Sequence, residues 1–216
     1  MHASLLTLFH LADSALPVGG YAYSNGLEYA VKSGLIASVK ELQLYLKDYT
    51  VQVLHYEMPY VKSAFEANDA QQLLQVSEHY NASLLNPLIK KAGLILGNNW
   101  LRLLRELNAS LMAPEKIDQD FPLVFGFMAK QLNLSFNDCC QLYVFMAVRD
   151  QISALIRLGT VGPVKAHQIQ NELLEHLNST LQIKEIADYS QAYKSAYLLE
   201  MMQLSHNSLY TKLFQN

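Results

Sequence analysis

The chain has 216 residues, 51% hydrophobic and only 16% charged; this is room for one large domain or two small ones, and apolar enough to leave surface for partners. A net charge of −3, with 16 Lys and Arg scattered and no basic block, excludes an electrostatic footprint for nucleic acid. The only cysteines, Cys139 and Cys140, are adjacent, so helical geometry turns them about 100° apart and opposes a disulfide; two of them make neither a disulfide framework nor a zinc site.

The N-terminal run MHASLLTLFHLAD is not read as a signal peptide, because no Lys or Arg precedes Lys32 and His10 and Asp13 interrupt the apolar stretch. No window reaches about 18 uninterrupted apolar residues. We therefore expect a soluble, cytoplasmic protein with no membrane contact. Ser4 to Ala12 reads as a short helix with Leu5, Leu8, Phe9 and Ala12 on one face. A second helix runs from Tyr23 to Ser33 and stops at Gly34. Ser38 and Glu41 form a capping box for a third, which carries Leu42, Tyr45, Leu46, Tyr49, Val53 and His55. Pro59 should kink it or start another segment, helical to about Ala67.

Asn68-Asp69 starts the next helix, with Leu73, Leu74, Val76 and Tyr80 inward. Asn86-Pro87 caps a longer one to Leu107, in which Gly93 and Gly97 would admit a partner helix. Residues 108–120 form the most loop-like stretch and the best candidate internal boundary. Helices follow over Phe121–Leu132 and, capped by Ser135, through 136–158 to Gly159. The latter is apolar almost all round and should be the central, most buried helix. Gly162-Pro163 turns into a helix over Val164–Leu177, Asn178-Ser-Thr is a loop, and helical pieces over Ile183–Tyr193 and Ala196–Leu204 precede the tail SHNSLYTKLFQN. No strand alternation or repeat appears. The expected fold is all-α: a single domain over 1–216, a bundle of about 8–10 helices around 136–158.

Chemistry-bearing residues are sparse. The histidines, His2, His10, His55, His79, His167, His176 and His206, include no i, i+4 pair with a third ligand and no HExxH, so no protein-built metal site is expected. Ser24 lies in YSNG rather than GxSxG, and GxxxxGK[ST] is absent. Asp13 and Glu28 are separated by an elbow; they either bind nearby turn groups or pair as acids. No cofactor is expected.

Three stretches stand out. The first is the elbow DSALPVGGYAYSNGLE, Asp13 to Glu28. Pro17 fixes its own φ and pushes Leu16 out of the helical region, and Gly19-Gly20 allows φ > 0 and close backbone approach. Interleaved Leu16, Val18, Tyr21, Tyr23 and Leu27 mark it as ordered and packed rather than a linker. The second is ALIRLGTVGPVKAHQ, Ala154 to Gln168, where Arg157 ends a buried helix beside Gly159 and Gly162. An Arg there is costly unless paired; it serves either its own helix C-terminus or a partner. The third is the tail, with Leu209, Tyr210, Leu213 and Phe214 but little helical pattern. It packs on its own body or orders on a partner.

These stretches carry a resemblance. LTLFHLADSALPVGGYAYSNGLEYAV is similar to the opening pattern of the urease accessory protein F family, roughly LLQLaSPaLPVGGFaYSqGLEwAv. Ala154, Arg157, Leu158 and Gly162 match a second family element, roughly AAvRLvPLGQtaGQ, although Pro163 and His167 stand where the family has Gln. His206, Tyr210, Leu213 and Phe214 match the terminal HEtqYsRLF, with Lys212 for Arg and Asn207 for Glu. Weaker matches are Glu57-Met-Pro59 to Asp-x-Pro, and Gly97 to Leu103 to GrrLLrl. The resemblance implies an all-helical, homodimeric, cytoplasmic accessory protein without catalysis of its own. It implies assembly with the family's D/H accessory protein and a SIMIBI GTPase, the G accessory protein, to load nickel into apo-urease. On that basis the expected GTPase face is Pro17, Gly19, Gly20, Tyr23, Ser24, Glu28, Arg157 and Gly162. The expected D/H contacts are His206, Tyr210, Lys212 and Phe214, in a tail over 205–216 that orders on binding. Two rivals stand beside this: a helical hydrolase or lyase using Asp13, Ser24 and Glu28, and a GTPase-activating protein with Arg157 as its arginine finger.

Overall fold

Five helices begin where a short polar side chain can take up a free amide hydrogen. Ser4, Ser38, Asp69, Asn86 and Ser135 accept from an amide two or three residues on, at the starts of α1 (Leu5–Leu11), α3 (Val39–Gln52), α5 (Ala70–Ser83), α6 (Pro87–Leu107) and α8 (Phe136–Leu158). Glu41 completes its box by accepting from the Ala37 amide and the Ser38 hydroxyl. Left-handed glycines close two helices: Gly34 follows α2 (Leu27–Lys32) and Gly159 follows α8. The remaining helices are α4 (Met58–Glu66), α7 (Phe121–Gln131), α9 (Pro163–Ile183) and α10 (Tyr197–Ser205). This structure, a computed structural model, describes residues 3–183 and 185–215; His2 and Lys184, within the expected 183–193 helix, lie outside them. Among the described residues the fold is all-α, with no strand.

Pro59 does not break its helix. A π turn over Val53–Glu57, in which the Met58 amide reaches back to the Val53 carbonyl, joins α3 to α4. Pro59 has no N–H for the His55 carbonyl four residues earlier, and the Tyr193 amide takes that acceptor at 3.1 Å.

The tightest helix pair is α4 on α7. A Cβ on Gly126 would lie 2.2 Å from the Val61 carbonyl oxygen, so the two backbones are nearly in contact. Seven of the 11 residues of α7 and six of the 9 of α4 are buried, against 11 of 23 in α8. Helix 136–158 is therefore not the most buried element: Arg149, Asp150 and Arg157 interrupt its apolar surface.

Four further expectations are corrected. Helix α9 runs straight through Asn178-Ser-Thr, because the Ser179 and Thr180 hydroxyls donate to the His176 carbonyl and need no turn. The stretch after it is not a helix but a strap with one short 3₁₀ turn, Tyr189–Gln191. Its backbone bonds go to α3 and α4 instead: Tyr189 N–H to Ser63 Oγ, Ser195 and Ala196 N–H to Gln52 Oε1, and the Ile186 carbonyl to Lys62 Nζ. Gly97 admits the backbone of Gln119 and Asp120, and Gly93 the Asp120 carboxylate, rather than a helix; a Cβ on Gly97 would stand 1.9 Å from the Gln119 carbonyl oxygen. The expected inner face of α1 is partly open, with Leu5 63% and Phe9 61% exposed beside Leu142, Phe145, Leu174 and Leu177.

Candidate partner-binding face

The elbow leaves α1 and is clamped from beneath. Asp13 Oδ1 accepts from the Ala15 amide, opening the turn. Gly19, at φ 97, leads into a 3₁₀ turn over Gly20–Ala22. Gly20 lies against the Asp150 carboxylate so closely that a Cβ would sit 2.2 Å from Oδ2, so a larger residue here would push the Asp150 side chain away from its present place. Arg149 on α8 donates to the Ala12 carbonyl at 2.6 Å and pairs with Asp150 at 2.8 Å. Asn99 on α6 donates to the Val18 carbonyl at 3.0 Å. Burial raises the Asp150 carboxyl above the ordinary range, with Arg149 opposing the rise.

The tail meets the elbow across the chain. Glu28, fully buried, accepts from Lys32 Nζ at 2.7 Å, His206 Nε2 at 2.8 Å, the Leu213 amide at 2.8 Å and the Phe214 amide at 3.2 Å. Lys32 also donates to the Thr211 carbonyl, and the Gln215 amide to the Ala22 carbonyl. Burial pushes the Glu28 carboxyl up, but hydrogen bonds from Lys32, His206 and Leu213 outweigh it and hold it below the ordinary range. Arg157 closes the seam. Its guanidinium lies 4.4 Å from the Phe214 ring centroid and donates to the carbonyls of Tyr21 and Leu213.

Elbow, Arg157 and tail thus form one face, but not with all the expected side chains outward. Tyr23, Ser24 and Glu28 are 5%, 0% and 0% exposed, and His206 and Phe214 are buried too. The tail is ordered on its own body, because a buried carboxylate collects its amides and Phe214 belongs to the main core. Pro17, Arg157, Gly162, Tyr210 and Lys212 are exposed, joined by Tyr21 and Leu213. Arg157 does not serve its own helix end; it is spent on elbow and tail. Asp13 and Glu28 form no acid pair: one makes a turn bond and the other latches the tail. Sequence reasoning missed Arg149, Asp150 and Asn99. The available clue was a neighbouring Arg-Asp pair in an otherwise apolar helix, where an unpaired charge is costly. Among the described residues, no group of three or more His, Cys, Asp or Glu is placed to hold a metal ion, and no helix is long and apolar enough to cross a membrane.

The fold and this face define an all-α protein whose terminal segments are locked together into one exposed surface. The UreF family model matches residues 36–174, and the chain belongs to that family. It is 27% identical to urease accessory protein F of Oryza sativa subsp. indica, over 98% of this chain and 85% of the relative. It is 26% identical to the Arabidopsis thaliana protein of that name, over 95% and 90%, and 26% identical to UreF of Nitrosococcus oceani, over 99% of each. The elbow and the tail lie outside the matched model region.

Proposed function

We propose that the chain is a non-catalytic maturation factor for nickel urease, working in the cytoplasm as a homodimer in which 1–216 act as one domain. In this reading it bridges the D/H accessory protein and the GTPase accessory protein G, so that nickel passes into apo-urease without a resident metal site here. The observation that carries the reading is the elbow–tail face: a rigid surface presenting Tyr21, Arg157, Tyr210 and Lys212, in a member of a family whose relatives are named urease accessory proteins. The GTPase contacts are then Pro17, Tyr21, Arg157 and Gly162, supported from within by Gly19, Gly20, Tyr23, Ser24 and Glu28. The D/H contacts are Tyr210 and Lys212, held out by His206 and Phe214. The arginine-finger alternative loses support, since the Arg157 guanidinium is already held by Tyr21, Leu213 and Phe214.

The test is co-purification of the full chain with the G and D/H accessory proteins of its source organism, with and without GTP. Tyr21→Ala should weaken retention of the GTPase, and Tyr210→Ala retention of D/H. Undiminished capture and urease activation by both variants would overturn the assignment of this face.

A further inference from the structure

Asn25 and Gly26 take consecutive left-handed conformations, φ 51 and 90. Glycine does this freely, and Asn does so more readily than other residues with a Cβ but still at a cost that its surroundings must offset. Here they do. Tyr45 Oη donates to the Asn25 carbonyl at 2.8 Å, and Asn25 Nδ2 donates to Tyr49 Oη at 3.4 Å. Gln151 Nε2 donates to the Ser24 carbonyl at 3.2 Å. Tyr45 and Tyr49 are four apart on α3 and so share one face, while Gln151 comes from α8. The three are 5%, 9% and 0% exposed, too deep to touch a partner.

This turn stands between the two halves of the face. Before it, with only Tyr23 and Ser24 between, are Tyr21 and Ala22, whose carbonyls receive Arg157 and Gln215. Immediately after it α2 begins, and its Glu28 collects the tail amides. A side chain on Gly26 would also press on α10, at 3.0 Å from the Gln203 amide nitrogen, so the turn packs closely against that helix. We propose that Tyr45, Tyr49 and Gln151 are positioning residues: they never reach a partner, but they hold the strained Asn25–Gly26 turn and so set the elbow and the tail in register. The inference rests on reading the elbow–tail face as partner-binding.

Shape-preserving variants of the full chain test it: Tyr45→Phe and Gln151→Met, with Asn25→Ala beside Asn25→Gly. Amide exchange of residues 24–28 and 213–214 is followed, with α4 and α7 as internal controls, alongside affinity for the GTPase accessory protein. In Tyr45→Phe and Gln151→Met the tail amides should exchange about fivefold faster, the factor one lost hydrogen bond gives. The controls should hold, and affinity should fall by a similar factor. Asn25→Gly, which keeps the left-handed turn, should stay closer to the parent than Asn25→Ala. Exchange that rises uniformly across the chain, or not at all at 213–214, would overturn the inference. So would full affinity in Tyr45→Phe and Gln151→Met when Tyr21→Ala has lost it. If Tyr21→Ala also binds normally, the reading of the face fails, and the exchange arm alone judges the turn.

Discussion

Asp120 is a carboxyl group with 0% exposure, and neither of its oxygens has a hydrogen-bond partner among the described residues. A buried carboxylate without partners favours its neutral form. Burial pushes it up to about 6, with Lys90 opposing and Asp118 adding to the rise. The unfolded chain releases this proton near the ordinary value of about 3.9. Its contribution is therefore complete below that value and is lost as the pH rises through about 6. The loss is on the order of 2–3 kcal/mol by proton linkage. Glu28 behaves oppositely: held low by its donors, it stabilises at neutral pH and gives that up in acid, as the pH falls through its lowered value. In urea titrations, wild type should lose stability between pH 4.5 and 7 relative to Asp120→Asn, which does not titrate. Parallel pH profiles for the two proteins would show that Asp120 is solvated or paired after all.

At the scale of elements, the α4–α7 pair depends on Gly126. Replacing it with Ala gains helix propensity, up to about 1 kcal/mol. The new methyl, however, meets the Val61 carbonyl at 2.2 Å, and overpacking against backbone costs typically 1–3 kcal/mol or more. The clash wins: Gly126→Ala should lower Tm by roughly 2–4 °C per kcal/mol lost, and a raised Tm would mean the pair has slack. The elements that were legible in the sequence share a local cause. Ser4, Ser38, Asp69, Asn86 and Ser135 mark helix starts through bonds to their own next residues, and Gly34 and Gly159 mark ends through φ > 0. The illegible stretch after α9, 185–196, is decided at a distance. Whether Tyr189, Tyr193, Ser195 and Ala196 extend a helix depends on Ser63, His55 and Gln52, more than a hundred positions earlier. The face divides the same way. Turn chemistry picks out the elbow, and an Arg beside two glycines picks out Arg157. That Phe214, rather than a partner, covers Arg157 appears only once both ends of the chain are placed together.

For the whole molecule, the two terminal segments close on each other through one buried carboxylate, with Glu28 bonding the Leu213 amide 185 residues away. Stability and partner capture should therefore come apart along the tail. A chain ending after Ser205 loses Phe214 from the core and leaves Glu28 with Lys32 alone. Removing a buried Phe, or the partners of a buried charge, costs about 3–5 kcal/mol; at roughly 2–4 °C per kcal/mol, Tm should fall by about 6–20 °C. Tyr210 is 102% exposed, so Tyr210→Ala should stay within about 0.5 kcal/mol of wild type while weakening capture of the D/H accessory protein. Differential scanning calorimetry on both variants separates the roles. A truncated chain that melts like the full one would mean the latch adds no net stability, and the tail would then be free to leave its own body for a partner.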